Sequence, residues 1–201
     1  MAAAGMLRTE VVEELRDPVL IFDYDAAWPV RYRIEAQLMR VVLADLSPQV
    51  EHIGSTSVIG LAAKPVIDIL VGVPELAAFD RQPERLASYG YQYVKAYERS
   101  LPDRRFFKRV LDGARTHHVH VVEADGAYWK RYVAFRDALR DSAELRQQYE
   151  RLKRGLAVRY CYDRDAYTAG KTGFVESVLA GQTRAALEHA PVSGVDPAYV
   201  A

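Results

Sequence analysis

Asp68 is the one acid in an otherwise apolar run covering residues 66–73, and His52-Ile53-Gly54-Ser55-Thr56-Ser57 precedes it in the chain. An ionised carboxylate buried without a partner costs several kcal/mol, so an acid on such a strand faces a site, lies near a strand end, or is paired. Glycine permits close backbone approach, and free N–H groups with the hydroxyls of Ser55, Thr56 and Ser57 can hold phosphate oxygens at a helix start. The same residues also read as an ordinary turn followed by a satisfied structural acid. A second constellation is Thr116-His117-His118-Val119-His120-Val121-Val122-Glu123. Strand periodicity puts His118, His120 and Val122 on one face and His117, Val119, Val121 and Glu123 on the other. Two imidazoles at this spacing can bind a divalent metal, donate to phosphate, or move protons near neutral pH; they can also be hydrogen-bonded packing groups. Basic side chains suited to an anionic substrate follow at Arg136, Arg140, Lys153 and Lys171, where the alternative is a solvated helix pair.

The elements that must position these groups are legible as periodicities. A helix is expected over 29–46, with Ile34, Leu38, Val41, Val42 and Leu46 as its apolar face. Strands are expected over 50–53 and 65–73, with a short helix or turn over 56–62. Residues 75–89 read as broadly helical around Pro83, and 91–97 as a strand. Residues 105–111 and 116–123 form a predicted hairpin through Asp112-Gly113. Helices are expected over 128–139, 143–160 and 166–187, punctuated by Asp141-Ser142 and Asp163-Arg164-Asp165. Residues 1–187 are therefore read as one domain whose helical C-terminal part covers 127–187, with 188–201 as an irregular tail.

Lysine plus arginine equals aspartate plus glutamate at 27 each among 201 residues, so no global field favours general nucleic-acid binding or a membrane surface. Any basic site must be local. The single Cys161 excludes an intramolecular disulfide and a multi-cysteine zinc site, consistent with a reducing cytoplasm; among Val158, Tyr160 and Tyr162 it reads as a core thiol. The first residues lack the basic and apolar regions of a signal peptide, and no run reaches membrane-span length. A soluble, cytoplasmic protein with a small-molecule or nucleotide ligand is expected.

Tyr24-Asp25-x-x-Trp28-Pro29, the block from His52 to Val58, Gly60-Leu-Ala-Ala-Lys-Pro65, Ile67-Asp68-Ile69, His118-x-His120-Val121, Phe135-Arg136-Asp137, Leu152-Lys153 and the stretch from Tyr167 to Lys171 together resemble the GrpB family, over roughly residues 18–182. Family members usually carry proline where this chain has Ile59. The resemblance implies a nucleotidyltransferase-like α/β (α+β) fold, a mixed sheet flanked by helices with C-terminal helices closing a cleft. That superfamily's pattern is a Gly-Ser turn, a strand with two acids one residue apart, and a third acid on a later strand, together holding two magnesium ions for attack on an α-phosphate. Gly54, Ser55 and Asp68 match. Leu70 stands where the second acid is expected, and His118 and His120 stand where the third is expected.

The resemblance therefore implies a nucleotidyltransferase-like enzyme acting on a phosphorylated or anionic small molecule, with a nucleoside triphosphate as a possible substrate. Gly54, Ser55, Thr56 and Ser57 would hold phosphate, and Lys64, Arg136 and Lys153 would supply positive charge. Asp68, His118 and His120 would be catalytic or bind a divalent metal. Mg²⁺ prefers hard oxygen ligands, whereas Mn²⁺ or Zn²⁺ accepts imidazole more readily. Two other readings stay open: a catalytically reduced nucleotide- or phosphate-binding module, and an Asp/His metal-dependent enzyme of another reaction type.

Overall fold

The computed structural model describes residues 18–181. Its centre is one five-stranded sheet in the order β1-β2-β5-β4-β3, built from β1 (Gln49–Ile53), β2 (Ile67–Val73), β3 (Tyr91–Tyr93), β4 (Arg104–Leu111) and β5 (Ala114–Glu123). β2 and β5 run parallel and every other neighbouring pair is antiparallel, so the sheet is mixed. Every residue of β2 is buried, as its nearly continuous apolar composition requires of a central strand covered on both faces. The predicted hairpin is present: Asp112 and Gly113 take φ of 52° and 78°, the left-handed pair that matches the twist of the strands.

One sheet face carries Ile67, Ile69, Val71, Val73, Val119 and Val121, packed against α1 (Trp28–Val42). Met39, Ile69 and Val71 are fully buried there, and complete burial of such a side chain contributes about 1.5–3 kcal/mol. The helix is rotated relative to the expected apolar face. Ile34 and Val41 are exposed, while Trp28, Glu35, Ala36 and Met39 face inward with Leu43. A partner-rich environment reverses the hydropathy ranking at Glu35: its carboxylate accepts from Tyr91 Oη at 2.7 Å and Arg109 Nη1 at 2.7 Å. Tyr91 and Arg109 are themselves register partners across β3 and β4.

The opposite face carries Asp68, Leu70, His118, His120 and Val122 and is covered by the C-terminal helices α3 (Ala127–Asp141), α4 (Ala143–Arg159), α5 (Arg164–Ala169) and α6 (Thr172–Leu179). Ser142 Oγ caps α4 by accepting from Leu145 N at 3.2 Å, and Asp163 Oδ1 caps α5 by accepting from Ala166 N at 2.9 Å. The expected helix over 166–187 is instead two helices separated at Gly170 and Lys171. Glycine is a poor helix former, and here it packs so closely on Leu156 that a Cβ would lie 2.5 Å from Leu156 Cδ2. Residues 182–187 and the expected tail lie outside the described residues.

Residues 75–89 are broadly helical as expected, as α2 (Leu76–Phe79) and a 3₁₀ helix begun by Pro83 (Pro83–Tyr89). Two further expectations change. The strand from Tyr91 stops at Tyr93 before a 3₁₀ helix, Lys95–Arg99. Cys161 is half-buried beside exposed Val158 and Tyr162 rather than in the core. No helix among the described residues is long and apolar enough to cross a membrane.

Candidate functional site

β1 ends with Ile53 beside Asp68 in the sheet register, and the chain then turns at Gly54 with φ 68° and ψ −176°. This backbone conformation is essentially restricted to glycine. The residue type is required a second time by contact, because a Cβ at Gly54 would lie 2.4 Å from Asp68 Oδ2. Gly54 thus shapes the space the carboxylate occupies. The following 3₁₀ turn, Ser55–Ser57, divides the three hydroxyl residues. Ser55 and Thr56 line a pocket with Ala63, Lys64, Val66, Asp68, His118, Lys153, Tyr167 and Lys171. Thr56 Oγ1 is committed inward, donating to Val66 O at 3.2 Å and lying 3.1 Å from His52 Nε2. Ser57 is absent from the lining, and its Oγ donates to Gly54 O at 2.6 Å, which ties the turn together.

Parallel pairing sets Asp68 beside His118 and Leu70 beside His120. Because these positions share a sheet face, the carboxylate and both imidazoles converge, with one ligand atom from each within 4.8 Å of the others. His118 Nδ1 is 2.9 Å from Asp68 Oδ1, and His120 Nε2 is 4.0 Å from the same oxygen. Burial by itself would raise the Asp68 pKa, but the hydrogen bond from His118 and the adjoining ring of His120 outweigh it and hold the carboxyl below its usual range. Burial pushes both histidines down to about 4 against the pull of Asp68, so at neutral pH an ionised carboxylate faces two neutral rings. The Nε2 atoms of His118 and His120 are buried with no hydrogen-bond partner among the described residues. Leu70, in the expected position of a second acid, is fully buried with Ile53, Val122 and Trp129. Glu123 lies on the opposite face, where Oε1 accepts from Leu76 N at 3.4 Å.

Lysines from three separate segments form the other wall. Lys64 follows the turn, Lys153 projects from α4, and Lys171 occupies the break between α5 and α6. Lys64 and Lys171 place their ammonium groups 5.1 and 4.9 Å from the centre of the Tyr167 ring. Lys153 Nζ donates to Ala62 O and lies 4.9 Å from the Tyr149 ring centre. Burial lowers Lys153 to about 7 and Lys171 to about 8, and burial together with the charge of Lys171 lowers Lys64 well below its ordinary value.

Arg136 is not among the lining residues. Its guanidinium is engaged by Glu51 Oε2 at 2.6 Å, Asp137 Oδ1 at 2.8 Å and His52 O at 3.2 Å, which fastens α3 to β1. Arg140 similarly donates to Ser57 O at 3.0 Å. Two contributors had not been read from the sequence, Tyr167 as the aromatic wall and Arg104, whose Nη1 is 3.3 Å from His120 Nδ1 and donates to Tyr132 Oη at 2.9 Å. Counting back from Asp112-Gly113 would not have revealed Arg104: a register shift between Arg109 and Val110 moves the pairing by one residue, and only with it do Arg104 and Phe106 reach the His118/His120 face, in register with Val122 and His120.

The chain is similar to known proteins over most of its length. Residues 18–181 match the family model described as GrpB protein. A UPF0157 protein of Pseudomonas aeruginosa is 39% identical over 176 residues, covering 86% of this chain and 71% of the relative. The glutamate-rich protein GrpB of Alkalihalophilus pseudofirmus is 32% identical over 165 residues, covering 80% and 94%. Among solved structures, conserved protein GrpB from Enterococcus faecalis aligns with a TM-score of 0.73 at 34% identity, covering 84% of this chain and 98% of that one. The match spans every element that builds the pocket, and the chain belongs to the GrpB family.

Proposed function

We propose that the protein is an enzyme acting on a phosphorylated or otherwise anionic small molecule, with nucleotidyl transfer from a nucleoside triphosphate as its reaction. The observation that carries this reading is the joining, in one pocket, of half-buried Lys64 and buried Lys153 and Lys171 to an ionised carboxylate flanked by two neutral imidazoles. Burial and mutual repulsion disfavour the charged form of these lysines in the free protein, so a bound polyanion would restore their protons, and phosphate oxygens are strong acceptors for such donors. Lys64, Lys153 and Lys171 would bind and orient the polyphosphate, and Tyr167 with Val66 would limit water. In the transfer an acceptor oxygen bonds to the α-phosphorus. The bond from that phosphorus to the bridging oxygen breaks, and pyrophosphate leaves with the electron pair. The acceptor's proton passes to a neutral imidazole, for which His118 is placed in the pocket lining.

In a metal-dependent form of the site His118 would serve as ligand instead of base: a divalent ion would draw on Asp68 and on Nε2 of His118, which has no hydrogen-bond partner among the described residues, with His120 as a third ligand once its ring proton has moved from Nε2 to Nδ1. The donor set of one carboxylate and two imidazoles suits Zn²⁺ or Mn²⁺ better than Mg²⁺. When bound, such an ion supplies Lewis-acid charge at the phosphoryl oxygens. Leu70, sealed among Ile53, Val122 and Trp129, favours a second reading in which the pocket binds a triphosphate or phosphate ligand without turnover, because a two-metal site lacks its bridging acid.

A panel of nucleoside triphosphates with Mg²⁺, Mn²⁺ or Zn²⁺, followed by mass spectrometry for pyrophosphate and transferred nucleotide, tests both. Turnover abolished by Asp68→Asn supports the enzyme. Binding weakened by Lys153→Met with no product under any metal supports the module, and no binding of any triphosphate or phosphate ligand refutes both.

A further inference from the structure

His118 and His120 are alike in residue type, face and burial, yet their hydrogen-bond partners differ in a way that decides where each ring carries its proton. Arginine has five N–H donors and no acceptor. Arg104 Nη1, 3.3 Å from His120 Nδ1, can therefore only donate, and Nδ1 must offer its lone pair. A neutral ring with Nδ1 unprotonated carries its hydrogen on Nε2, the atom 4.0 Å from Asp68 Oδ1. His118 has the reverse constraint. Its Nδ1 lies 2.9 Å from the carboxylate oxygen, which accepts, so Nδ1 carries the hydrogen and the lone pair is on Nε2.

We infer that the two histidines are held in opposite tautomers and have different roles: His118 presents a basic Nε2 to the ligand, while His120, fixed by Arg104, is a positioning residue that turns an N–H toward Asp68. The roles rest on the pocket being the ligand site; the tautomers do not. His118 lines the pocket and Lys64 is near enough to act on its charge, whereas His120 is fully buried between Phe106 and Tyr132, with ring centres 5.1 and 5.2 Å away. Arg104 is itself anchored by Tyr132 Oη at 2.9 Å, so the orientation of the His120 ring is determined from α3 as well as from β4. A consequence concerns metal selection. His120 can give its Nε2 lone pair to an ion only if its proton moves to Nδ1 and Arg104 withdraws, so Asp68 and His118 are the available ligands in the arrangement observed.

Long-range ¹H–¹⁵N correlation spectra of the imidazole rings in ligand-free, metal-free protein at neutral pH read the tautomers directly. The chain has five histidines, so assignment by single substitution is practical. The expected result is His118 protonated on Nδ1 with Nε2 bare, and His120 protonated on Nε2 with Nδ1 bare. Arg104→Met should then shift His120 to a mixed or reversed pattern while His118 keeps its own. Proton on Nδ1 of His120 in the wild type, an averaged pattern there, or identical tautomers in both rings overturns the inference. A His120 pattern unmoved in folded Arg104→Met removes Arg104 as its cause, and if that variant does not fold the wild-type spectrum decides. Because no substrate is added, failure of the proposed reaction leaves this result standing.

Discussion

Gly54→Ala probes how closely the turn and the acid are joined. The glycine-only backbone at Gly54, φ 68° and ψ −176°, costs an alanine about 1–3 kcal/mol. The added methyl would lie 2.4 Å from Asp68 Oδ2 and 3.0 Å from Asp68 Cβ and Cγ, so the carboxylate or the turn must move. Losing the charge-assisted bond between Asp68 and His118 adds about 1.5–3 kcal/mol. The expected destabilisation is therefore about 2.5–6 kcal/mol, a large part of the ~5–15 kcal/mol typical of a domain. Gly60→Ala is the control: Gly60 also has positive φ, 79°, but a Cβ there would meet nothing within 4 Å, so only the backbone cost of about 1–2 kcal/mol applies. Urea unfolding of both variants, repeated in an Asp68→Ala background, separates the two effects by a double-mutant cycle. In that background Gly54→Ala should cost little more than Gly60→Ala. Equal costs for the two glycine variants in the wild-type background, within about 0.5 kcal/mol, would refute the contact argument.

Other expectations address the lysines, the ion pairs of Arg136 and Glu35, and Leu70. Burial depresses Lys153 to about 7 and Lys171 to about 8, so between those values and the ordinary lysine range the unfolded chain binds more protons than the folded one. Their contribution to stability therefore rises with pH, by at most ~1.4 kcal/mol per unit for each group, and Lys153→Met should flatten denaturation profiles above pH 7. Triphosphate affinity should move the opposite way, falling as pH rises from 7 to 9, as calorimetry at fixed ionic strength would show. Arg136→Met should destabilise by about 1–3 kcal/mol through lost bonds to Glu51, Asp137 and His52 O, while leaving triphosphate affinity within about threefold. A tenfold loss of affinity there would return Arg136 to the site. Glu35→Ala should cost about 3–5 kcal/mol in denaturant unfolding by stranding Arg109 and Tyr91, and Glu35→Gln clearly less. Leu70→Asp should destabilise by several kcal/mol, with thermal unfolding partly restored by Mn²⁺ if the new acid and Asp68 share an ion.

Local patterns in the chain were sufficient for the hairpin at Asp112-Gly113, for the common face of His118 and His120, and for Asp68 as a strand acid, because side-chain alternation and turn chemistry depend on adjacent residues alone. The rotation of α1 was not legible. Hydropathy ranks Ile34 and Val41 above Glu35, but burial follows available partners, and Tyr91 and Arg109 lie far along the chain. The same distinction divided the candidate cations. Arg136 and Lys153 are equally plausible helix residues in sequence, yet acids from β1 and α3 surround one while the other enters the pocket. Sequence alone determined which groups share a face and which residue types are present. Tertiary structure decided that β5 lies parallel to β2 with His118 beside Asp68, that the α5–α6 break brings Lys171 to the same space, and that Arg104 meets His120. Those choices depend on packing between distant segments, and no local period encodes which surfaces will meet.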